Sequence, residues 1–434
     1  MPGRNIKILI VTYYYPPVGG IAVQRVVKLA KYLPTCGVDV EILTTAHGMG
    51  YIQDASLISR NDLENITTHR FGADKLMTHH QLKVNYQGLR PMSYYLGLRG
   101  LPMMDIYSEW FRSIRHKLGD LYNEVRFDAV LTTSPPNSTH FIGLYLKNKF
   151  GVPWYMDIRD SIVERPGVRP SFTNALVKLI SLQHERIFAK NADSIVLVSD
   201  PMRDNFIRRN KQVDPTKVHV IPNGYDPDDY AGVAPEKQQH GSLTFTYTGS
   251  LTGDRSPESF VLALQSLIAE QQIEPGEFYI RFVGCFSEDI IRMFDGISKS
   301  IRTEFTGVVS HAESINYQLQ SDILLLFNTT ESSTSDEILT GKIFEYIAAR
   351  KPIFVIGSGD GPLKKLIEDG DLGFVSDFLN VASIEAGILF FYKLWDKGGG
   401  LQCSPDEGLL TRYSRKEQAK EVARIISDIT SSRC

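Results

Sequence analysis

Short apolar runs alternate with longer stretches of helical periodicity along nearly the whole chain, and this alternation most constrains its fold. Strands are expected at 6–12, 38–44, 128–133, 152–157, 194–198 and 217–221, with helices at 22–34, 137–149, 172–189 and 200–210. A second round follows, with strands at 243–248, 278–283, 301–305, 322–327 and 353–356, and helices at 257–270, 287–297, 312–319, 341–349 and 361–368. A strand–helix alternation of this kind gives parallel sheets covered by helices on both faces. In the first helix Val23, Val26, Val27, Ala30 and Leu33 recur at the spacing of one buried face, and Gly37 follows as its stop.

At 434 residues the chain is too long for a single ordinary core, so two domains are expected. Turn signals cluster at Asn223-Gly224 and Asp226-Pro227, ahead of a polar stretch. The expected organisation is a first domain over 1–225, a linker over 226–242, a second domain over 243–412 and a charged amphipathic helix within 413–434.

Composition excludes several classes of function. A net charge of -3 argues against a dedicated nucleic-acid binder. Cys36, Cys285, Cys403 and Cys434 show no C-x-x-C spacing, so reduced thiols are expected and a zinc site is not. The apolar start at 6–11 lacks a cleavage-site pattern and reads as a first strand. No run approaches the length of a membrane span, and a cytoplasmic location is expected. The stretch 75–117 mixes basic and aromatic residues, which suits either a peripheral contact with the inner face of a membrane or an ordinary amphipathic insert.

Ligands of doubly wound sheets bind at the carboxyl ends of the strands, so chemistry is sought in the loops that follow them. After the first strand come Gly19 and Gly20, whose backbone can approach a ligand closely, although no G-x-G-x-x-G fingerprint is present. The strand at 152–157 ends in Asp157-Ile158-Arg159-Asp160, read either as a hydroxyl-binding acidic pair or as an Asp–Arg pair with a helix cap. Gly249 and Ser250 close the first strand of the second round, with Arg255 beyond as a diphosphate clamp. Glu337 and Glu345, eight positions apart, bracket a turn and the start of a helix at Gly341. Free amides there suit a diphosphate, and the carboxylates suit sugar hydroxyls. Lys342 in the first turn opposes the helix dipole, as a cation placed for a phosphate would.

In their order and spacing these pieces resemble the family 4 glycosyltransferases. The resemblance rests on Tyr14-Tyr15-Pro16-Pro17-Val18-Gly19-Gly20, Thr133-Ser134-Pro135-Pro136, Asp157-Ile158-Arg159-Asp160 and Ile221-Pro222-Asn223-Gly224-Tyr225-Asp226. It continues through Tyr247-Thr248-Gly249-Ser250-Leu251, Phe305-Thr306-Gly307-Val308-Val309 and the Glu337–Glu345 pair. It implies an α/β protein of the GT-B fold, with two Rossmann-like doubly wound parallel-sheet domains facing across a cleft and the last helix crossing back to the first. By the same resemblance Glu345 binds ribose, Glu337 the transferred sugar, and Arg255 and Lys342 the diphosphate. Gly19, Gly20 and Gly341 assist with amides, Gly249 and Ser250 line the donor, Gly307 and Val309 lie near the base, and Asp157 and Asp160 face the acceptor.

The implied activity is transfer, with retention, of a sugar from a nucleotide diphosphate sugar to a glycan or lipid-linked acceptor. No metal or other cofactor is implied, and the leaving diphosphate would take the acceptor's proton. Two departures stand out. Ser250 replaces the cation many members carry there, and Ile338-Leu339-Thr340-Gly341 replaces a glycine-rich stretch. A nucleotide-sugar epimerase or hydrolase, and a binding protein without catalysis, remain as alternatives.

Overall fold

The computed structural model describes residues 4–46, 53–59, 63–72, 105, 107–163, 172–233, 241–251, 255–328, 339–357, 361–396, 398, 401 and 403–431. The chain divides into two compact units, one comprising Met1–Pro222 with Arg415–Cys434 and the other Asn223–Ser414.

The first unit is built on seven parallel strands in the order β3-β2-β1-β4-β5-β6-β7. These are β1 (Ile6–Val11), β2 (Val38–Thr44), β3 (Thr68–Arg70), β4 (Ala129–Thr133), β5 (Trp154–Ile158), β6 (Ser194–Leu197) and β7 (Val218–Val220). Ile8, Leu9, Ile10 and Val11 of β1 are all fully buried, as a strand covered on both faces must be. Helix Ile21–Tyr32 follows β1 and buries Val23, Val26, Val27 and Ala30, the face its spacing predicts. Gly37 ends the following 3-10 turn in a left-handed conformation, with φ 78°. The final helix, Arg415–Ser431, places Ala419, Val422, Ala423 and Ile426 in the same apolar cluster as that first helix. These positions are three and four apart, so a single face docks.

The second unit holds six parallel strands in the order β10-β9-β8-β11-β12-β13. They are β8 (Leu243–Thr248), β9 (Phe278–Val283), β10 (Arg302–Phe305), β11 (Ile323–Asn328), β12 (Ile353–Gly357) and β13 (Gly373–Asp377). The order reverses direction between β8 and β11, just as it does between β1 and β4. Such a switch point leaves a crevice at the strand carboxyl ends. Edge strands β3 and β13 and helix Val381–Asp396 add to the elements expected from sequence. The helix expected over 287–297 is shorter, spanning Glu288–Arg292. The stretch expected as a linker begins inside this unit. Asp226 caps a 3-10 turn at Pro227–Asp229, and the Tyr230 hydroxyl donates to the Glu345 carbonyl at 3.0 Å.

One buried ion pair ties the first unit together. Asp157 at the end of β5 accepts Arg25 Nε at 3.0 Å and Nη2 at 2.8 Å, and Thr133 Oγ1 at 2.6 Å. Arg25 Nη1 also donates to the carbonyls of Ile221 and Pro222, at 3.2 and 2.9 Å. Both side chains are almost wholly buried, at 2% and 1% exposure. Burial alone would raise the Asp157 pKa. Arg25, Arg159 and the Thr133 hydroxyl outweigh it and hold the carboxyl below its ordinary value. Asp157 thus contributes stability above an unfolded-chain pKa of about 4 and loses that contribution as pH falls through the lower folded value. Asp157→Ala and Arg25→Ala should each cost about 3–5 kcal/mol, because each strands a buried charge. Denaturant unfolding of the double variant should show a loss well short of the sum.

Candidate active site

In the second unit the expected donor residues converge at the carboxyl ends of β8, β9, β10 and β11. Three glycines make the convergence possible. Gly249 after β8, Gly284 after β9 and Gly307 after β10 have φ values of 114°, 138° and 77°, which favour glycine strongly. Gly249 N donates to Val283 O at 2.7 Å, and Gly284 N to Gly307 O at 2.9 Å, so the three loops lie edge to edge. A Cβ on Gly284 would stand 2.1 Å from the Gly249 carbonyl oxygen, and one on Gly249 2.3 Å from Lys342 Cε. Bare backbone is therefore what this floor accommodates. Ser250 is exposed beside it, and Val309 is half-buried beyond Gly307.

Helix Gly341–Ala348 rises beside these loops. It buries Ile343, Phe344, Tyr346 and Ile347, which leaves Lys342 and Glu345 together on its other side. Its N-cap, Thr340, makes no side-chain cap, and no acidic residue occupies the first turn. The first amides are thus not capped by side chains within the helix. Lys342 Nζ donates to the Tyr247 hydroxyl at 2.7 Å, and that hydroxyl donates to Ser250 O at 2.9 Å. The ammonium also lies 4.7 Å from the Tyr247 ring centre. Burial and the Arg255 guanidinium lower its pKa to about 8 against the opposing pull of Glu345. A cation held this way has more to gain from a bound anion than a solvated lysine has.

Glu345 is held at both oxygens. Oε1 lies 3.2 Å from His311 Nε2, and Oε2 accepts Gln318 Nε2 at 3.0 Å. Gln318 Nε2 also lies 3.2 Å from Thr248 Oγ1, and Thr248 N donates to the Tyr346 hydroxyl at 3.0 Å. Burial opposes ionisation of Glu345, but His311, Gln318 and Lys342 prevail and its pKa lies below the ordinary glutamate value. The carboxylate keeps 19% exposure, so it is charged, fixed and reachable.

Sequence reasoning missed Gly284, His311 and Gln318. Gly284 had a usable signal, a glycine directly after an apolar strand run. His311 opens helix His311–Gln320, marked by the Ser310/Glu313 capping box. Glu337 lies outside the described residues, as does much of the 75–117 stretch. The described end of that stretch is part of the first unit, where Trp110 is buried and its Nε1 donates to Phe71 O.

In the first unit Gly20 has φ 86° and precedes the uncapped first turn of helix Ile21–Tyr32, with Gly19 buried beside it. Asp160 is exposed just past β5. Asp157 requires a correction. Its carboxylate is enclosed and taken up by Arg25 and Thr133, so it fixes the first helix and does not meet an acceptor. His140 is buried against Thr132 Oγ1 at 2.8 Å, and desolvation lowers its pKa to about 3, which keeps the ring neutral. Among the described residues no cluster of three or more His, Cys, Asp or Glu is placed to hold a metal ion. No described helix is long and apolar enough to cross a membrane.

Two parallel-sheet α/β units, each with its polar residues gathered at the strand ends, define the GT-B architecture. Residues 19–224 match the glycosyl transferase 4-like domain family. The chain is similar in structure to a glycosyltransferase from Rickettsia africae ESF-5, at 15% identity over 98% of this chain and 99% of that one, with a TM-score of 0.65. It is similar to sucrose-phosphate synthase from Thermosynechococcus elongatus at 14% identity, 99% and 97% coverage and a TM-score of 0.61. A UDP-GlcNAc 2-epimerase from Methanocaldococcus jannaschii shares the architecture at 10% identity, 98% and 99% coverage and a TM-score of 0.55. At these identities the likeness is one of fold. No curated protein matches the chain significantly. The chain therefore has the GT-B fold, and its residues 19–224 are similar to the glycosyl transferase 4-like domain, in line with the resemblance to family 4.

Gly284→Ala should lower thermal stability, because the new methyl group meets backbone and the φ is unfavourable for alanine. A cost of about 1–3 kcal/mol or more is expected from strain of this kind. Gly276→Ala is the control, since a Cβ there meets nothing within 4 Å.

Proposed function

We propose that the protein transfers a hexosyl group, with retention and without a metal, from a nucleotide diphosphate sugar to a glycan or lipid-linked acceptor in polysaccharide or glycoconjugate synthesis. The observation that carries this reading is the fixed, ionised Glu345 on the same helix face as Lys342, one turn from amides that no side chain of the helix caps. Glu345 accepts the ribose hydroxyls. The diphosphate takes the amides from Gly341 onward, with Lys342 and Arg255 neutralising its charge. Gly249, Ser250 and Gly307 form the backbone floor, with Val309 beside the base. In the first unit Gly19 and Gly20 supply further amides, and Asp160 meets the acceptor. Glu337 is assigned to the transferred sugar from its sequence position.

A retaining reaction on this set needs no protein base, since the departing diphosphate oxygen can take the acceptor's proton as the new glycosidic bond forms on the same face. The charge that develops on the leaving group is met by the helix amides, Lys342 and Arg255. The match of residues 19–224 to the glycosyl transferase 4-like domain supports the transfer of a sugar, and the fold shared with a 2-epimerase keeps a second reaction class in view.

Thermal unfolding against a panel of nucleoside diphosphates and their sugars tests the reading directly. One base should stabilise the protein selectively, by about 2.7 kcal/mol at a hundredfold excess over its dissociation constant, and Glu345→Ala should abolish the shift. Donor turnover that requires an acceptor and leaves the anomeric configuration unchanged supports transfer. Epimerisation or hydrolysis of the donor alone supports the other class, and binding without turnover a non-catalytic protein.

Lys342 adds a pH signature. Its pKa of about 8 in the free protein should rise against a bound diphosphate, so binding takes up protons near and above pH 8. Calorimetry in buffers of different ionisation enthalpy should detect that uptake, and Lys342→Met should remove it.

A further inference from the structure

Glu345 is the only member of the candidate site whose two functional oxygens are each anchored by a different side chain among those described, and the anchors come from an element outside its own helix. Both His311 and Gln318 belong to helix His311–Gln320, at its first turn and its last. They hold one oxygen each, His311 Nε2 at Oε1 and Gln318 Nε2 at Oε2, at 3.2 and 3.0 Å. Gln318 is itself fully buried and locked by Thr248 and by Tyr230, whose hydroxyl lies 3.4 Å from Gln318 Oε1. The second ring nitrogen of His311 faces Asp229 Oδ2 at 3.9 Å. The same 3-10 turn that carries Asp229 leads into Tyr230, which holds the Glu345 backbone carbonyl. The carboxylate plane is thus fixed through helix, turn and strand end together.

An ionised carboxylate has about four acceptor positions. With one position on each oxygen taken by His311 and Gln318, one on each remains, on two oxygens of a single fixed group. Two adjacent acceptors in a fixed plane match a pair of neighbouring hydroxyls, which is what the 2′ and 3′ positions of ribose present. A freely rotating carboxylate would accept one hydroxyl as readily as two and would discriminate little.

Resting on the ribose assignment of the proposed function, we infer that His311 is a positioning residue that makes Glu345 selective for the vicinal diol of a ribonucleotide over a 2′-deoxyribonucleotide. His311 acts through Glu345 and touches no ligand. It also favours the ionised form of Glu345, so its removal should move the loss of binding on the acid side to higher pH. The titratable and charged groups around the pair are Asp229 and Tyr230 from the 3-10 turn, Lys342 and Tyr346 from the Glu345 helix, and Arg255, which acts on Lys342. Glu313 on the His311 helix is engaged by Ser310 in the capping box.

The test is calorimetric titration of the full chain with the nucleoside diphosphate that stabilises it and with the 2′-deoxy counterpart. Wild type, His311→Ala and His311→Gln are compared between pH 5 and pH 8, with melting temperatures confirming that each variant is folded. Wild type should prefer the ribonucleotide by about tenfold to a hundredfold, the factor that one charge-assisted hydrogen bond of about 1.5–3 kcal/mol corresponds to. In His311→Ala that preference should collapse towards unity while affinity for the deoxy compound changes little, and the acid limit should shift upward. His311→Gln keeps a donor on a similar stem and should restore much of the preference.

An equal loss of affinity for both compounds in His311→Ala, or an unchanged preference with an unchanged acid limit, would overturn the inference while leaving the site intact. A wild type that binds the two compounds equally would overturn it and confine Glu345 to another role. A wild type that binds no nucleoside diphosphate would overturn the proposed function itself, and this inference with it.

Discussion

A parallel sheet buried on both faces has few places for a charged side chain besides the ends of its strands, and the layout of the candidate site follows from that constraint. β11 and β12 are lined almost entirely by apolar residues with little or no exposure, and β1 is so over Ile8–Val11. The polar groups that remain are collected where strand order reverses, and there they must satisfy one another. In the first unit that demand is met by Asp157, Arg25 and Thr133, closed on themselves. In the second it is met by Glu345, His311, Gln318 and Thr248, which leave one edge of a carboxylate open. The same physical situation yields a structural lock in one unit and a candidate site in the other. What separates them is exposure, 1% for the Asp157 side chain and 19% for that of Glu345.

Glycine and a helix terminus shape the rest of the candidate site. Three loops lie edge to edge because Gly249, Gly284 and Gly307 adopt conformations strongly disfavoured for other residues, and because Gly284 has no Cβ to meet the Gly249 backbone. The helix at Gly341 then presents its first amides without a side-chain cap, and a lysine sits where a lone helix would favour an acid. Local preference is thus set against itself at one place. Such conflicts are expected where function outweighs stability.

The architecture was legible in the sequence to the extent that its elements were apolar and periodic. The two rounds of strand and helix, the buried face of the first helix and the left-handed Gly37 all follow from spacing and residue type. Edge strands escaped notice because their chemistry is mixed: Thr68–Arg70 has no apolar alternation, and Gly373–Asp377 is only half-buried. Asp157 misled because an Asp-x-Arg-Asp run at a strand end has the composition of a binding site. Its true partner, Arg25, lies far away in sequence, and no local pattern reveals such a pair.

The sequence by itself determined the fold class, the two-unit organisation of strands and helices, and the residue types at the candidate site, because hydrophobic period and turn chemistry are local properties. It placed Gly249 and Gly307 in loops after strands, where ligands of such sheets bind, and Gly341, Lys342 and Glu345 in the first turns of a helix that follows another strand. Only the tertiary structure decided which carboxylates are open and which are closed, since that depends on partners brought together from distant positions. Asp157 and Glu345 are both acids near strand ends, and nothing in their immediate neighbours tells them apart. The surrounding fold does so, by enclosing one with an arginine and a threonine and by anchoring the other with a histidine and a glutamine while part of it stays exposed.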